Sequence, residues 1–121
     1  MLRTIAILLG AVVLPLSLSG CTQGDAADVA VNDTTVVIDV RTPEEYAAGH
    51  LEGAQLLDLT SGEFAAALPQ LDPDAEYLVY CRSGNRSGQA VSLMKDAGFP
   101  NATNLGSLEE AADATGITIV S

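Results

Sequence analysis

The sequence has no tryptophan, one histidine and two cysteines, and aromatic residues make up only 4% of its 121 positions. So few imidazoles and thiols offer no ligand cluster for a zinc site. Cations are also scarce: Lys and Arg number 5 against 16 Asp and Glu, a net charge of -11. Such a balance excludes the basic surface that nucleic-acid binding or docking on anionic lipid requires. A chain this short is one domain at most, with a modest core, and it contains no internal repeat and no low-complexity segment. Its longest apolar run, Ile5 to Leu18, falls short of the about 20 residues that span a bilayer.

That run has a different meaning. Arg3 precedes it and Leu18-Ser19-Gly20-Cys21 closes it, the layout of a secretory signal with small residues at the cut. The closing tetrapeptide resembles the lipobox of bacterial lipoproteins, which implies cleavage before Cys21 and a diacylglycerol on its thiol. More than one acyl chain is what stable anchoring needs. The expected organisation is therefore a lipoprotein signal peptide over 1–20, a polar tether over 21–34 and one domain over 35–121. The product is expected to be exported and held to a membrane by its lipid, at the periplasmic face or the outer cell surface. Arg3 leaves with the leader, so Arg41, Arg82, Arg86 and Lys95 then face all 16 carboxylates. With Cys21 lipidated, Cys81 has no partner in the chain, an unusual state for a thiol in an exported protein.

Within the domain, Thr35 to Val40 is a β-branched run, as expected of a strand buried on both faces. Thr42-Pro43-Glu44-Glu45 is a helix start, with Thr42 as cap, Pro43 at the first position and Glu45 completing a capping box. This helix stops near Gly49. Ala54 to Leu59 is a second apolar stretch, and Ser61 or Gly62 opens a short helix that Pro69 ends. After a turn at Asp72-Pro73-Asp74, Tyr77 to Tyr80 is a strand running into Cys81. Helical spacing of Ala90, Val91, Leu93, Met94 and Ala97 predicts a helix over Ser87–Ala97, stopped at Gly98. A strand over Ala102–Leu105, a helix over Leu108–Ala114 and an apolar tail over Ile117–Val120 complete the chain. Strands alternating with helices predict an α/β fold, an open parallel sheet with short helices on both faces.

The segment Tyr80-Cys81-Arg82-Ser83-Gly84-Asn85-Arg86-Ser87-Gly88 places a cysteine where a strand ends, a tight loop follows and a helix begins. In open α/β sheets that crevice is where ligands bind. Loop N–H groups and the positive end of the helix can face the sulfur, which lowers a thiol's pKa and keeps it as nucleophilic thiolate. Two of the chain's few cations, Arg82 and Arg86, fall in this loop. A basic, Gly-containing loop is a poor setting for an inert core cysteine.

Two motifs together carry a resemblance. Asp39-Val40-Arg41-Thr42-Pro43-Glu44-Glu45-Tyr46, continuing to Gly49-His50-Leu51-Glu52-Gly53-Ala54, and Cys81-Arg82-Ser83-Gly84-Asn85-Arg86-Ser87 resemble the rhodanese domain family. Within it the chain is most similar to small exported single-domain thiosulfate sulfurtransferases of the phage-shock protein E type. The resemblance runs from about Thr35 to Leu108. It implies a parallel sheet with helices on both sides, and Cys81 as the nucleophile that becomes a persulfide. It implies a sulfur cradle from Arg82, Ser83, Gly84, Asn85, Arg86 and Ser87, with Arg82 and Arg86 recognising an anionic donor at the rim. Asp39 and Arg41 are implied as support at the end of the neighbouring strand.

The reaction implied moves sulfane sulfur from an anionic donor such as thiosulfate to cyanide or a thiol, in a ping-pong cycle that calls for no metal or organic cofactor, by a protein expected to be a monomer. Cys81 to Arg86 is Cys-x4-Arg, one residue shorter than the Cys-x5-Arg cradle of cysteine phosphatases, which leaves phosphatase or arsenate reductase as a minor alternative. A non-enzymatic persulfide carrier and a binding module on the same fold are the others. His50 is read as a structural residue after a helix end, Glu45 as a cap, and Arg41 as either a structural partner or a substrate contact. Two departures from the family pattern stand out. The opening strand and helix are missing or reduced to Val29–Val31, and the last loop reads Gly106-Ser107-Leu108 without the usual second glycine and tryptophan.

Overall fold

The computed structural model describes residues 29–121. The expected leader 1–20, Cys21 and the first part of the tether lie outside the described residues. Four strands form the central sheet, in the order β3-β1-β4-β5 and all parallel. These are β1 (Val36–Asp39), β3 (Gln55–Leu56), β4 (Tyr77–Cys81) and β5 (Ala102–Ser107). The helices are α1 (Pro43–Ala48), α2 (Glu63–Ala67), α3 (Asn85–Asp96) and α4 (Leu108–Thr115). Two further short strands, β2 (His50–Leu51) and β6 (Ile119–Val120), pair antiparallel beside this sheet.

Why β4 is central follows from its composition. All five residues of Tyr77-Leu78-Val79-Tyr80-Cys81 are buried, and side chains alternate across a strand. Tyr77, Val79 and Cys81 join one core cluster with Ile38, Val40, Phe64, Ala90, Val91 and Met94. Leu78 and Tyr80 join the other, with Val37, Leu51, Leu105 and Ala111. The thiol is thereby delivered to the face covered by α3, whose buried stripe is Ser87, Ala90, Val91 and Met94. A serine opens an otherwise apolar stripe, directly under the cysteine.

The structure refines the sequence-based boundaries. Helix α3 begins at Asn85 rather than Ser87, because Gly84 adopts φ 92 and starts the helix as its N-cap. The loop proper is thus only Arg82–Gly84. Pro69 does not end α2; it sits in the tight helical turn Leu68–Gln70 that follows. Of the stretch Ala54–Leu59, only Gln55–Leu56 is strand. The apolar tail ends in β6, whose register is His50 with Val120 and Leu51 with Ile119. The end of the expected tether packs on the domain: Val29 N–H donates to Ala114 O at 3.0 Å, and its side chain rests on the second core cluster.

Candidate active site at the end of strand β4

Cys81 closes β4 and is fully buried. Burial alone describes an inert core thiol equally well, so the partners of the sulfur decide. Gly84 N–H donates to Sγ at 2.9 Å, and the Ser87 hydroxyl lies 3.3 Å from Sγ. Burial pushes the thiol pKa up. The Ser87 hydroxyl and the backbone N–H groups of Ser87, Ser83 and Gly84 outweigh it and hold the pKa below the ordinary thiol value. Donors collected on one sulfur stabilise the anion. They come from the first turn of α3 and the loop before it, which adds the positive end of a twelve-residue helix.

The other expected site residues divide into groups. Asp39 and Arg41 form a buried pair: Arg41 Nε donates to Asp39 Oδ1 at 2.9 Å and Nη2 donates to Oδ2 at 2.6 Å. Nη2 also donates to Gly49 O at 2.6 Å, and the guanidinium lies 5.5 Å from the Tyr80 ring centroid. Arg41 therefore ties the end of β1 to the end of α1 as well as flanking the site. Although burial opposes it, the Asp39 carboxylate raises the Arg41 pKa. Arg82 and Asn85 are exposed, and Asn85 Oδ1 accepts from Gln89 Nε2 along α3.

Arg86 is placed differently from a rim residue free to meet an anion. Nη1 donates to Glu45 Oε1 at 2.8 Å and Nη2 to Oε2 at 3.0 Å, a bidentate pair across 41 residues of sequence. Glu45 also keeps its expected role, since Thr42 and Glu45 form a complete capping box at α1. Arg86 chiefly, with Thr42 assisting against partial burial, lowers the Glu45 pKa to about 2. The capping role was legible in the sequence; the second partner was not, because nothing local links α1 to α3. His50 stacks on Tyr46 with centroids 3.6 Å apart and donates from Nδ1 to Tyr46 O at 2.7 Å. It belongs to the α1–β2 corner.

A cleft of about 250 Å³ lies at this edge, lined by Arg41, Glu45, Ala48, Arg82, Leu108 and Glu109. Of its two arginines, Arg41 is committed to Asp39, which leaves Arg82 as the cation facing an approaching molecule. Sequence reasoning also missed Asn104 on β5. Its Oδ1 lies 2.7 Å from the Ser87 Oγ and its Nδ2 donates to Gly84 O at 3.0 Å. No local signal marked it, since β5 reads Ala-Thr-Asn-Leu-Gly-Ser and Asn104 is one polar residue among several.

The site is a cysteine at the end of a parallel strand, cupped by a donor-lined loop, the place where open α/β sheets bind ligands. The model for the Rhodanese-like domain family matches residues 23–114, and the chain belongs to that family. It is 35% identical over 75 residues to the thiosulfate sulfurtransferase PspE of Escherichia coli (strain K12), covering 62% of this chain and 72% of that protein. Over 72 residues it is 43% identical to the probable adenylyltransferase/sulfurtransferase MoeZ of Mycobacterium tuberculosis (strain CDC 1551 / Oshkosh). That match covers 57% of this chain but only 18% of the much longer relative. Among solved structures, rhodanese with anions from E. coli superposes with a TM-score of 0.58 at 31% identity, covering 72% of this chain and 98% of that one.

Proposed function

We propose that this protein is a sulfurtransferase that carries sulfane sulfur on Cys81, taking it from an anionic donor such as thiosulfate and passing it to a thiol or to cyanide. The observation that carries the reading is the set of N–H and O–H donors gathered on Sγ. In the first step the Cys81 thiolate attacks the outer sulfur of thiosulfate. The bond between that sulfur and the sulfonate sulfur breaks, its electron pair leaves with sulfite, and Cys81 holds a persulfide anion. The loop N–H groups and the α3 terminus then stabilise charge on the added sulfur as they did on the thiolate. In the second step cyanide or a thiolate attacks the outer sulfur, and the returning pair restores the Cys81 thiolate. No proton need be held by His50, consistent with its place in the α1–β2 corner.

Against phosphate chemistry stands Arg86. In a Cys-x5-Arg cradle the arginine faces a bound oxyanion, whereas here both terminal nitrogens are on Glu45. Donor attraction falls instead to exposed Arg82. The test is thiocyanate formation from thiosulfate and cyanide, with Cys81→Ser alongside. Product from the wild type and none from the variant supports the reading; activity on an aryl phosphate without thiocyanate overturns it. We also propose export as a lipoprotein anchored through Cys21, which predicts that labelled fatty acid enters the wild-type chain and is absent from Cys21→Ser.

A further inference from the structure

Strand β5 is irregular where it passes the site. Its register against β4 shifts between Val79 and Tyr80, so that Val79 faces Asn104 while Tyr80 faces Gly106. The extra residue is a β-bulge, a feature that re-aims side chains beside active sites. Here it turns the Asn104 amide to the cysteine loop. Asn104 Oδ1 accepts Gly106 N–H at 2.9 Å, bracing the bulge, and stands 2.7 Å from Ser87 Oγ. Nδ2 donates to Gly84 O at 3.0 Å. The same amide explains Gly88, which occupies a helix interior at the usual cost of about 1 kcal/mol relative to Ala. A Cβ there would come within 3.3 Å of Asn104 Nδ2.

Besides Gly106, Asn104 holds Gly84 and Ser87, two residues that give hydrogen bonds to Sγ. Gly84 presents its N–H to Sγ while its carbonyl is held by Asn104, so the two peptide planes that meet at the Gly84 Cα are each anchored, one on the sulfur and one on Asn104. Ser87 has a single hydroxyl proton and two acceptors, Asn104 Oδ1 at 2.7 Å and Sγ at 3.3 Å. We propose that Asn104 is a positioning residue for the Cys81 cradle: from the β5 bulge it anchors the carbonyl of Gly84, the residue whose N–H meets the sulfur, and shares the Ser87 proton with that sulfur. The inference deepens the sulfurtransferase reading and rests on it only for the purpose the thiolate serves.

The consequences are separable. Loss of Asn104 loosens the Gly84 N–H, which disfavours the thiolate, and frees the Ser87 proton for Sγ, which favours it. With Ser87 replaced by Ala only the first effect survives. The measurement is the pH dependence of Cys81 alkylation by iodoacetamide in wild type, S87A, N104A and the double variant, with circular dichroism to establish folding. Asn104 is exposed, so its truncation leaves the core intact. The expected result is a midpoint above wild type in S87A, and a further rise of about half to one pH unit in the double variant, from loss of about one hydrogen bond's worth of ordering. N104A alone shifts less than that increment. A folded double variant whose midpoint equals that of S87A overturns the proposal, and strictly additive shifts overturn the shared proton. Because alkylation needs no sulfur donor, failure of thiocyanate formation would leave this outcome readable on its own.

Discussion

Helices α1 and α4 begin in one way and α3 in another. Thr42 with Glu45, and Ser107 with Glu110, make complete capping boxes that consume the first N–H groups of α1 and α4. Helix α3 starts from Gly84, with no side-chain cap. Helix α2 also starts from a glycine, Gly62, but there Phe64 N–H donates to Asp58 O in its own loop. Among the described residues, only at α3 are the donors turned on a thiol. The amino-terminal N–H groups that a capping side chain takes at α1 and α4 turn instead to the sulfur of Cys81 at α3.

The sharpest way to break this comparison is to substitute the two N-cap glycines. Gly84 and Gly62 share the left-handed conformation, at φ 92 and 87. A Cβ at Gly84 would lie 3.2 Å from Gly106 Cα, whereas one at Gly62 meets nothing within 4 Å. Gly84→Ala is expected to destabilise by roughly 2–3 kcal/mol and to cut sulfur transfer about tenfold or more, since it displaces an N–H that serves an anion. Gly62→Ala should cost about 1 kcal/mol and leave transfer unchanged. Denaturant melts and thiocyanate rates check both, and equal activity losses would dissolve the distinction.

Next in size is Glu45, which caps α1 and grips α3 through Arg86. Its folded pKa lies below its unfolded value, so the stability it contributes is fully present above about pH 4.5 and is lost as pH falls towards about 2. Glu45→Gln should therefore cost about 1 kcal/mol near neutrality, discounted for a pair that is partly solvated. The deficit should vanish in melts near pH 2. A deficit independent of pH would assign the effect to packing instead. The smallest effect is expected at Arg82. Arg82→Ala should raise the KM for thiosulfate about two- to fivefold at low salt and little at high salt, while Lys95→Ala changes nothing. Equal responses from the two would remove Arg82 from donor recognition.

Much of this was readable beforehand because it is local. The capping box at Thr42, the strand ending in Cys81 and the helical stripe from Ala90 to Met94 are written in consecutive residues, and the parallel α/β fold followed from their alternation. What stayed hidden depends on residues distant in sequence. The Glu45–Arg86 pair joins α1 to α3, and it turned an arginine expected at the rim into a tie between helices. The Asn104 contacts depend on a bulge that shows only when β5 is laid against β4. The start of α3 moved from Ser87 to Asn85 because Gly84, in a stretch that reads as a turn, became the N-cap once Asn104 and Gly106 packed against it.

The most direct measurement is intact-protein mass spectrometry of the full chain after exposure to thiosulfate, with peptide mapping of the product. The expected result is a mass increase of one sulfur atom, located on Cys81, discharged by cyanide and absent from Cys81→Ser. A folded wild-type chain that stays unmodified, or that carries its added sulfur elsewhere, would contradict it.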